Sequence, residues 1–400
     1  MDLRSRLSRI RGLRPAAGTP GKGKGENSPA PRAAPAGLPG AFKKGGWIPA
    51  ASPAESGALV LRRTQTLGLP LALPHTLPAA LGILAPGGGG IPAESLRFFD
   101  LETTGLSIGA GTLPFLAAVG VLEQGGKGLG RIRVVQYLLL DYPGEGEFLE
   151  SLAGDLGNPA KDRKGAGEDS GAAAPPTVVS YNGKTFDIPI LRNRCTMLGL
   201  GLPGFDHLDL LHSARRVWRG VLPSCSQAAV ETEILSLSRE GDLPGAFAPE
   251  AWFEFLRTGN PAGVLRIGDH NCRDILGMAA ILACLCRIAA DPLGEGARFS
   301  ANPEQLALCW QRALDRGCRG EEEVRRARDL LERGAALGYP RCCRKLAVEA
   351  EWRTGDIGGA LDLVERALGR DMPEGLRLDL AGRRERLLGK AAKARKKGRP

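Results

Sequence analysis

A chain of 400 residues, 43% of them apolar, is long enough for two or three domains built around a sizeable core. Its formal charge of +10 suits a polyanionic partner. No secretory signal and no bilayer-length apolar run are read in the sequence, so no membrane association is expected, and nine cysteines, an odd count, fit a reducing cytoplasm and not a disulfide scaffold.

In chain order, residues 1–57 read as a disordered, basic, Pro/Gly-rich region, too poor in large apolar residues to fold. Within it Leu3, Leu7, Ile10 and Leu13 at helical spacing, among five arginines, suggest a short basic docking helix. Residues 58–90 carry scattered Leu and Pro and read as an extended arm packed on the main domain. The core opens with a strand at Leu96–Phe99, followed by strands at Leu116–Leu122 and Ile132–Leu140 across a Gly-rich turn. A helix is expected over 145–156, then a disordered insertion over 157–176. A strand at Thr177–Ser180 leads into a helix over 186–198. A short strand near 205–207 leads into a basic helix over 210–219, and further helices end in a long one over 269–290. Three strands, a helix, a strand and then mostly helices indicate an α/β fold with a mixed sheet flanked by helices.

Three acidic stretches interrupt this pattern. Asp100 and Glu102 stand two apart at the end of an apolar strand, so both carboxylates face one side. Thr103 opens the sharp turn after them, where backbone is left accessible to a substrate end. In the second, Asn182-Gly183 turns the chain and Asp187 falls in the first helical turn, where an acid also complements the helix dipole. In the third, Asp274 interrupts an otherwise apolar helix with no evident cation partner, and His270 lies one turn earlier on the same face. Buried carboxylates are costly unless paired or bound to metal. Four of them point to hard divalent cations held by oxygen, a pair of which is suited to cutting phosphodiesters.

The basic helix is amphipathic. Leu210, Leu211, Ala214 and Val217 share one face, and Arg215, Arg216 and Arg219 the other. With Lys184 and Arg192 these suit phosphate contacts, and Trp218 a stacking surface; the alternative is a solvated face and a core tryptophan. Asp209 reads as a helix cap, not a fifth ligand.

The order of the motifs, Asp-x-Glu, Asp, then His-x-x-x-Asp, resembles that of the DEDD exonucleases in the ribonuclease-H-like superfamily. A closer resemblance, to the bacterial YprB-type ribonuclease-H-like family, runs from about 95 to 290. It is carried by Phe98–Leu106, Gly109–Leu116, Tyr181–Arg192, His207–Trp218 and His270–Leu276. The resemblance implies a ribonuclease H-like domain over 58–292 with Asp100, Glu102, Asp187 and Asp274 as ligands of two Mg²⁺ or Mn²⁺ ions. It implies a metal-dependent nuclease acting on DNA or RNA, in the 3′→5′ exonuclease manner. His270 would be the general base, although DEDD enzymes place a Tyr at this spacing and a His one residue farther from the last Asp. The alternative is a catalytically quiet nucleic-acid-binding scaffold.

Residues 300–389 are all helical in pattern. Ala327–Gly334 and Ala360–Ala367 repeat at an offset of 33, shared by Pro340 and Pro373. Helix pairs of this period resemble tetratricopeptide repeats and imply either a protein partner or a simple helical cap. The chain closes in a basic tail, 390–400.

Overall fold

The computed structural model describes residues 40–50, 59–105, 111–125, 129–157 and 175–396. The expected N-terminal docking helix, the insertion within 158–174 and the last four residues of the tail lie outside the described residues.

Folding begins earlier than composition indicates. Gly40–Lys44 forms helix α1 and Trp47–Pro49 strand β1, and Phe42 and Trp47 are fully buried. Two aromatics in a Gly/Pro-rich stretch are enough to dock it, because each buries a large apolar surface. The expected arm is instead a 14-residue strand, β2 (Val60–Leu73), followed by a short helix, α2 (Leu81–Leu84). Gly68 and Pro70 hide its strand character, and the register does shift between Gly68 and Leu73.

The sheet continues with β3 (Leu96–Thr103), β4 (Pro114–Glu123) and β5 (Leu129–Leu139), then helix α3 (Glu145–Gly157). After the insertion come β6 (Thr177–Ser180), α4 (Asp187–Met197), β7 (Asp206–Asp209) and α5 (Leu210–Trp218). The order across the sheet is β1-β2-β5-β4-β3-β6-β7. The pairs are antiparallel from β1 to β3 and parallel from β3 to β7.

Alternation along β3 divides the core. Phe98 joins the layer under the long helix α8 (Ala262–Ala290), and Phe99 the layer under α3 and α4. Asp100 and Glu102 share the parity of Phe98, so they emerge on the α8 side. There α8 sits close to the sheet. A Cβ at Gly120 of β4 would meet Ile275 at 2.5 Å and Ile132 at 2.9 Å, so only glycine admits the helix. Two shorter helices, α6 (Gln227–Glu233) and α7 (Ala248–Thr258), precede α8.

Helices α9 (Gly294–Arg298), α10 (Pro303–Asp315), α11 (Glu321–Ala336), α12 (Pro340–Glu349), α13 (Ile357–Leu368) and α14 (Glu374–Lys396) follow. The repeated residues Ala327 and Ala360 occupy equivalent buried places in α11 and α13. Trp310 of α10 is fully buried in the same apolar cluster as α5 and α8. Asn302 donates to the carbonyls of Val217 (2.8 Å) and Arg219 (2.9 Å), which ties this segment to the end of α5. Among the described residues no helix is long and apolar enough to cross a membrane.

Candidate active site

The four acids flagged in the sequence converge from three elements. Asp100 and Glu102 end β3, Asp187 begins α4, and Asp274 lies midway along α8. Burial raises the Asp100 carboxyl to about 7, assisted by the charge of Asp274 and opposed by a hydrogen bond from Asn271. Burial also holds Glu102 well above the usual carboxylate range, and the charges of Asp100, Asp274, Asp187 and Asp242 add to it. Asp187 is raised in the same way, by burial and then by Asp100, Asp209 and Asp274. The acids therefore share one electrostatic neighbourhood.

Each carboxylate has its own support. Asp100 Oδ2 accepts from Asn271 Nδ2 at 2.7 Å. Asn271 is fully buried, and its Oδ1 accepts from Gln136 Nε2 at 2.8 Å. Gln136 Oε1 in turn accepts from Arg63 Nε at 2.8 Å, and the Arg63 guanidinium stacks on Trp47 at 4.8 Å. A polar relay thus runs from the first two strands to Asp100. Asp187 depends on the turn before it. Asn182 is left-handed at φ 69°, and Asp209 accepts from the amides of Asn182 (2.9 Å), Lys184 (3.1 Å) and Leu211 (3.0 Å). Asp209 is the cap of α5, as expected, and it also clamps the turn that aims Asp187. Gly183 is needed there, since a Cβ would stand 2.5 Å from Ser180 Oγ and 2.8 Å from Asp187 Oδ2.

His270 occupies the centre. Its Nδ1 is 2.8 Å from Asp242 Oδ2, and its Nε2 is 3.4 Å from Asp274 Oδ2 and 3.8 Å from Glu102 Oε1.

Three expectations need correction. Asp274 does have a cation partner: Arg239 Nη2 binds Asp274 Oδ1, while Arg239 Nε reaches Glu231 Oε2 at 2.5 Å. Burial alone would lower the Arg239 guanidinium, but these acids hold it above its ordinary value. Arg239 lies outside every flagged motif, and only the fold brings it back to α8. Trp218 offers no stacking surface, because it is fully buried and donates its indole N–H to the carbonyl of Phe299 at 2.9 Å. Arg216 is half-buried and donates to the Leu84 carbonyl at 3.0 Å, so it braces α2.

The remaining flagged residues divide by exposure. Thr103 is buried and its hydroxyl donates to the Gly105 carbonyl at 2.7 Å. Asn182 and Lys184 are exposed on the turn before Asp187, Arg192 on α4 and Arg215 on α5. Nothing local marks Asn271, Gln136 or Asp242 as partners, because each acts across a long separation, and Glu231 reaches the site only through Arg239.

Among the described residues, no three His, Cys, Asp or Glu side chains are gathered as a ready-made metal cage. The donor set nevertheless fits a hard divalent cation. It is all oxygen, largely buried and under mutual repulsion, and among the described residues no basic side chain bonds to Glu102 or Asp187 beyond the His270 ring 3.8 Å from Glu102.

Comparison with known proteins agrees with this geometry. Residues 97–286 match the family model of the RNase_H superfamily. The uncharacterized protein YprB of Bacillus subtilis (strain 168) is 31% identical over 224 residues, which cover 55% of this chain and 47% of that protein. The chain therefore spans about half the length of this relative.

Proposed function

For a chain whose residues 97–286 form a domain of the RNase_H superfamily, we propose a divalent-metal-dependent nuclease that hydrolyses phosphodiester bonds of DNA or RNA, in the 3′→5′ exonuclease manner. One observation carries the reading: burial and the charges of neighbouring acids raise the proton affinity of Asp100, Glu102 and Asp187, and Asp274 of α8 is among the charges that act on all three. Unpaired charge of this kind is unfavourable in a protein that never binds a cation there.

Asp100, Glu102, Asp187 and Asp274 would hold two Mg²⁺ or Mn²⁺ ions, which supply an activated water and neutralise the leaving oxygen when bound. Asn271 orients Asp100 and favours its ionised form through its 2.7 Å bond, against the larger effect of burial. Arg239 must release Asp274 Oδ1 for that oxygen to turn inward. His270 Nε2, between Glu102 and Asp274, accepts the proton of the attacking water. Asn182, Lys184, Arg192 and Arg215 stand exposed toward solvent, where they would meet phosphate and sugar.

The test is incubation of the purified protein with end-labelled single- and double-stranded DNA and RNA, with Mg²⁺, Mn²⁺ or EDTA. Cleavage should require metal. Asp100→Ala and Asp274→Ala should abolish it while leaving nucleic-acid binding largely intact, and His270→Ala should lower it by about 10²–10⁴.

A second reading, a catalytically quiet nucleic-acid-binding scaffold in the cytoplasm, is favoured by the Arg239–Asp274 pair, which neutralises one acid without metal. In that case the helices of 300–389 would recruit a protein partner. Inactivity of the wild type with every metal and substrate would select it.

A further inference from the structure

The segment between α6 and α7 lies over the acidic cluster and carries a residue with no part in the quartet. Asp242 Oδ2 is 2.8 Å from His270 Nδ1, and both side chains are only 8% exposed. Asp242 is itself held from two sides, by Arg239 Nη1 at 3.2 Å and by Arg273 Nη1 at 3.3 Å. Its amide donates to the Arg239 carbonyl at 3.1 Å, so the pair forms one turn. The backbone then passes against the imidazole. A Cβ at Gly245 would stand 3.2 Å from His270 Nε2 and 3.4 Å from Glu102 Oε1.

We propose that Asp242 is a positioning residue that fixes the His270 ring so that Nε2 is the nitrogen facing Glu102 and Asp274. The inference rests on the nuclease reading above. An ionised carboxylate only accepts hydrogen bonds, so its partner Nδ1 carries the proton. In the neutral ring Nε2 is then left bare, with an open lone pair on the side of the acids. It takes one proton from water as the water oxygen bonds to phosphorus and the bond from phosphorus to the leaving ribose oxygen breaks. The leaving oxygen takes a proton from solvent. An Asp that holds an imidazole in one tautomer in this way is a recurrent device in hydrolytic sites. Arg239 serves both acids of the turn, bonding Asp242 as well as Asp274. The same segment thus orients the base and neutralises a ligand.

The experiment is a double-mutant cycle read beside the ring's nitrogen spectrum. Asp242→Asn keeps the shape and removes the anionic acceptor. It should lower kcat by about 10²–10⁴, leave KM and nucleic-acid binding unchanged, and add nothing to the loss caused by His270→Ala. An additive loss in the double variant would overturn the proposal, as would a fall in kcat that merely follows a fall in melting temperature. The ¹⁵N spectrum of the neutral His270 ring should show the proton on Nδ1 in the wild type and on Nε2 in Asp242→Asn. A ring protonated at Nε2 in the wild type overturns the assignment even if Asp242→Asn does not fold. If no substrate is cut, the nuclease reading fails, and the spectrum still decides the role of Asp242.

Discussion

Asp100 shows how a single carboxyl couples the site to pH. Its folded value of about 7 lies above the roughly 3.9 of an unfolded aspartate. Between those values the folded chain binds a proton that the unfolded chain has lost, so stability falls as pH rises from about 4 to 7. Glu102 and Asp187, raised in the same direction, steepen that fall. Metal-free wild type should therefore lose on the order of 2–4 kcal/mol over this range, and Asp100→Asn should show a flatter profile in thermal melts. A wild-type profile as flat as that of the variant would contradict the crowding. Added Mg²⁺ or Mn²⁺ should reverse the loss, by about 2.7 kcal/mol at a hundredfold excess over Kd, and do less for Asp100→Asn. Equal stabilisation of both proteins would count against a shared site.

Glu351 makes the corresponding case for an element. It lies in the π-helical turn Ala350–Thr354 after α12, with its side chain wholly covered. Arg383 binds it, as do Arg386 at 3.0 Å and Lys390 at 2.9 Å, all on α14. Bonds from Arg386 and Lys390 lower its carboxyl to about 2. That contribution is complete above the unfolded value near 4.3 and is lost as pH falls toward 2. Glu351→Gln should detach α14 first and cost on the order of 3 kcal/mol, read as faster amide exchange across α14 than in α8. Uniform exchange in the variant would show that α14 is held by its apolar face alone. The same elements show what a sequence can disclose. Strands β3 to β7 and helices α3 to α5 were legible because apolar period and turn residues coincide there. Strand β2 was not, since Gly68 and Pro70 break its pattern and its pairing with β5 is a distant event. The long helix was expected to start at Asp269, yet it begins at Ala262, where the apolar spacing is thinner. The quartet was legible as isolated charge in apolar runs. Arg239, Asp242 and Asn271 were not, because nothing local distinguishes a solvated polar residue from one that pairs across the fold.

At the scale of the whole molecule, one apolar cluster joins the sheet, α8 and the C-terminal helices. This favours a helical cap over an independent repeat array, which would carry its core between its own units. It also limits where the chain can be cut. A fragment of residues 97–286 omits Arg63, the donor to Gln136, and uncovers the surface that Leu306 and Trp310 bury. It should melt well below the full chain and associate in size-exclusion chromatography. A monomeric 97–286 with the melting point of the full chain would show the flanking elements to be dispensable. The long separation of Asp100 from Asp274 has a kinetic counterpart. Closing so large a loop is entropically costly, so the acids are predicted to meet late, in the step that docks α8 on the sheet. The mutual repulsion of the acids is then deferred until the apolar layers can bear it, and a cation finds its ligands only in the finished molecule. Cations should accordingly slow unfolding and leave the rate of folding unchanged.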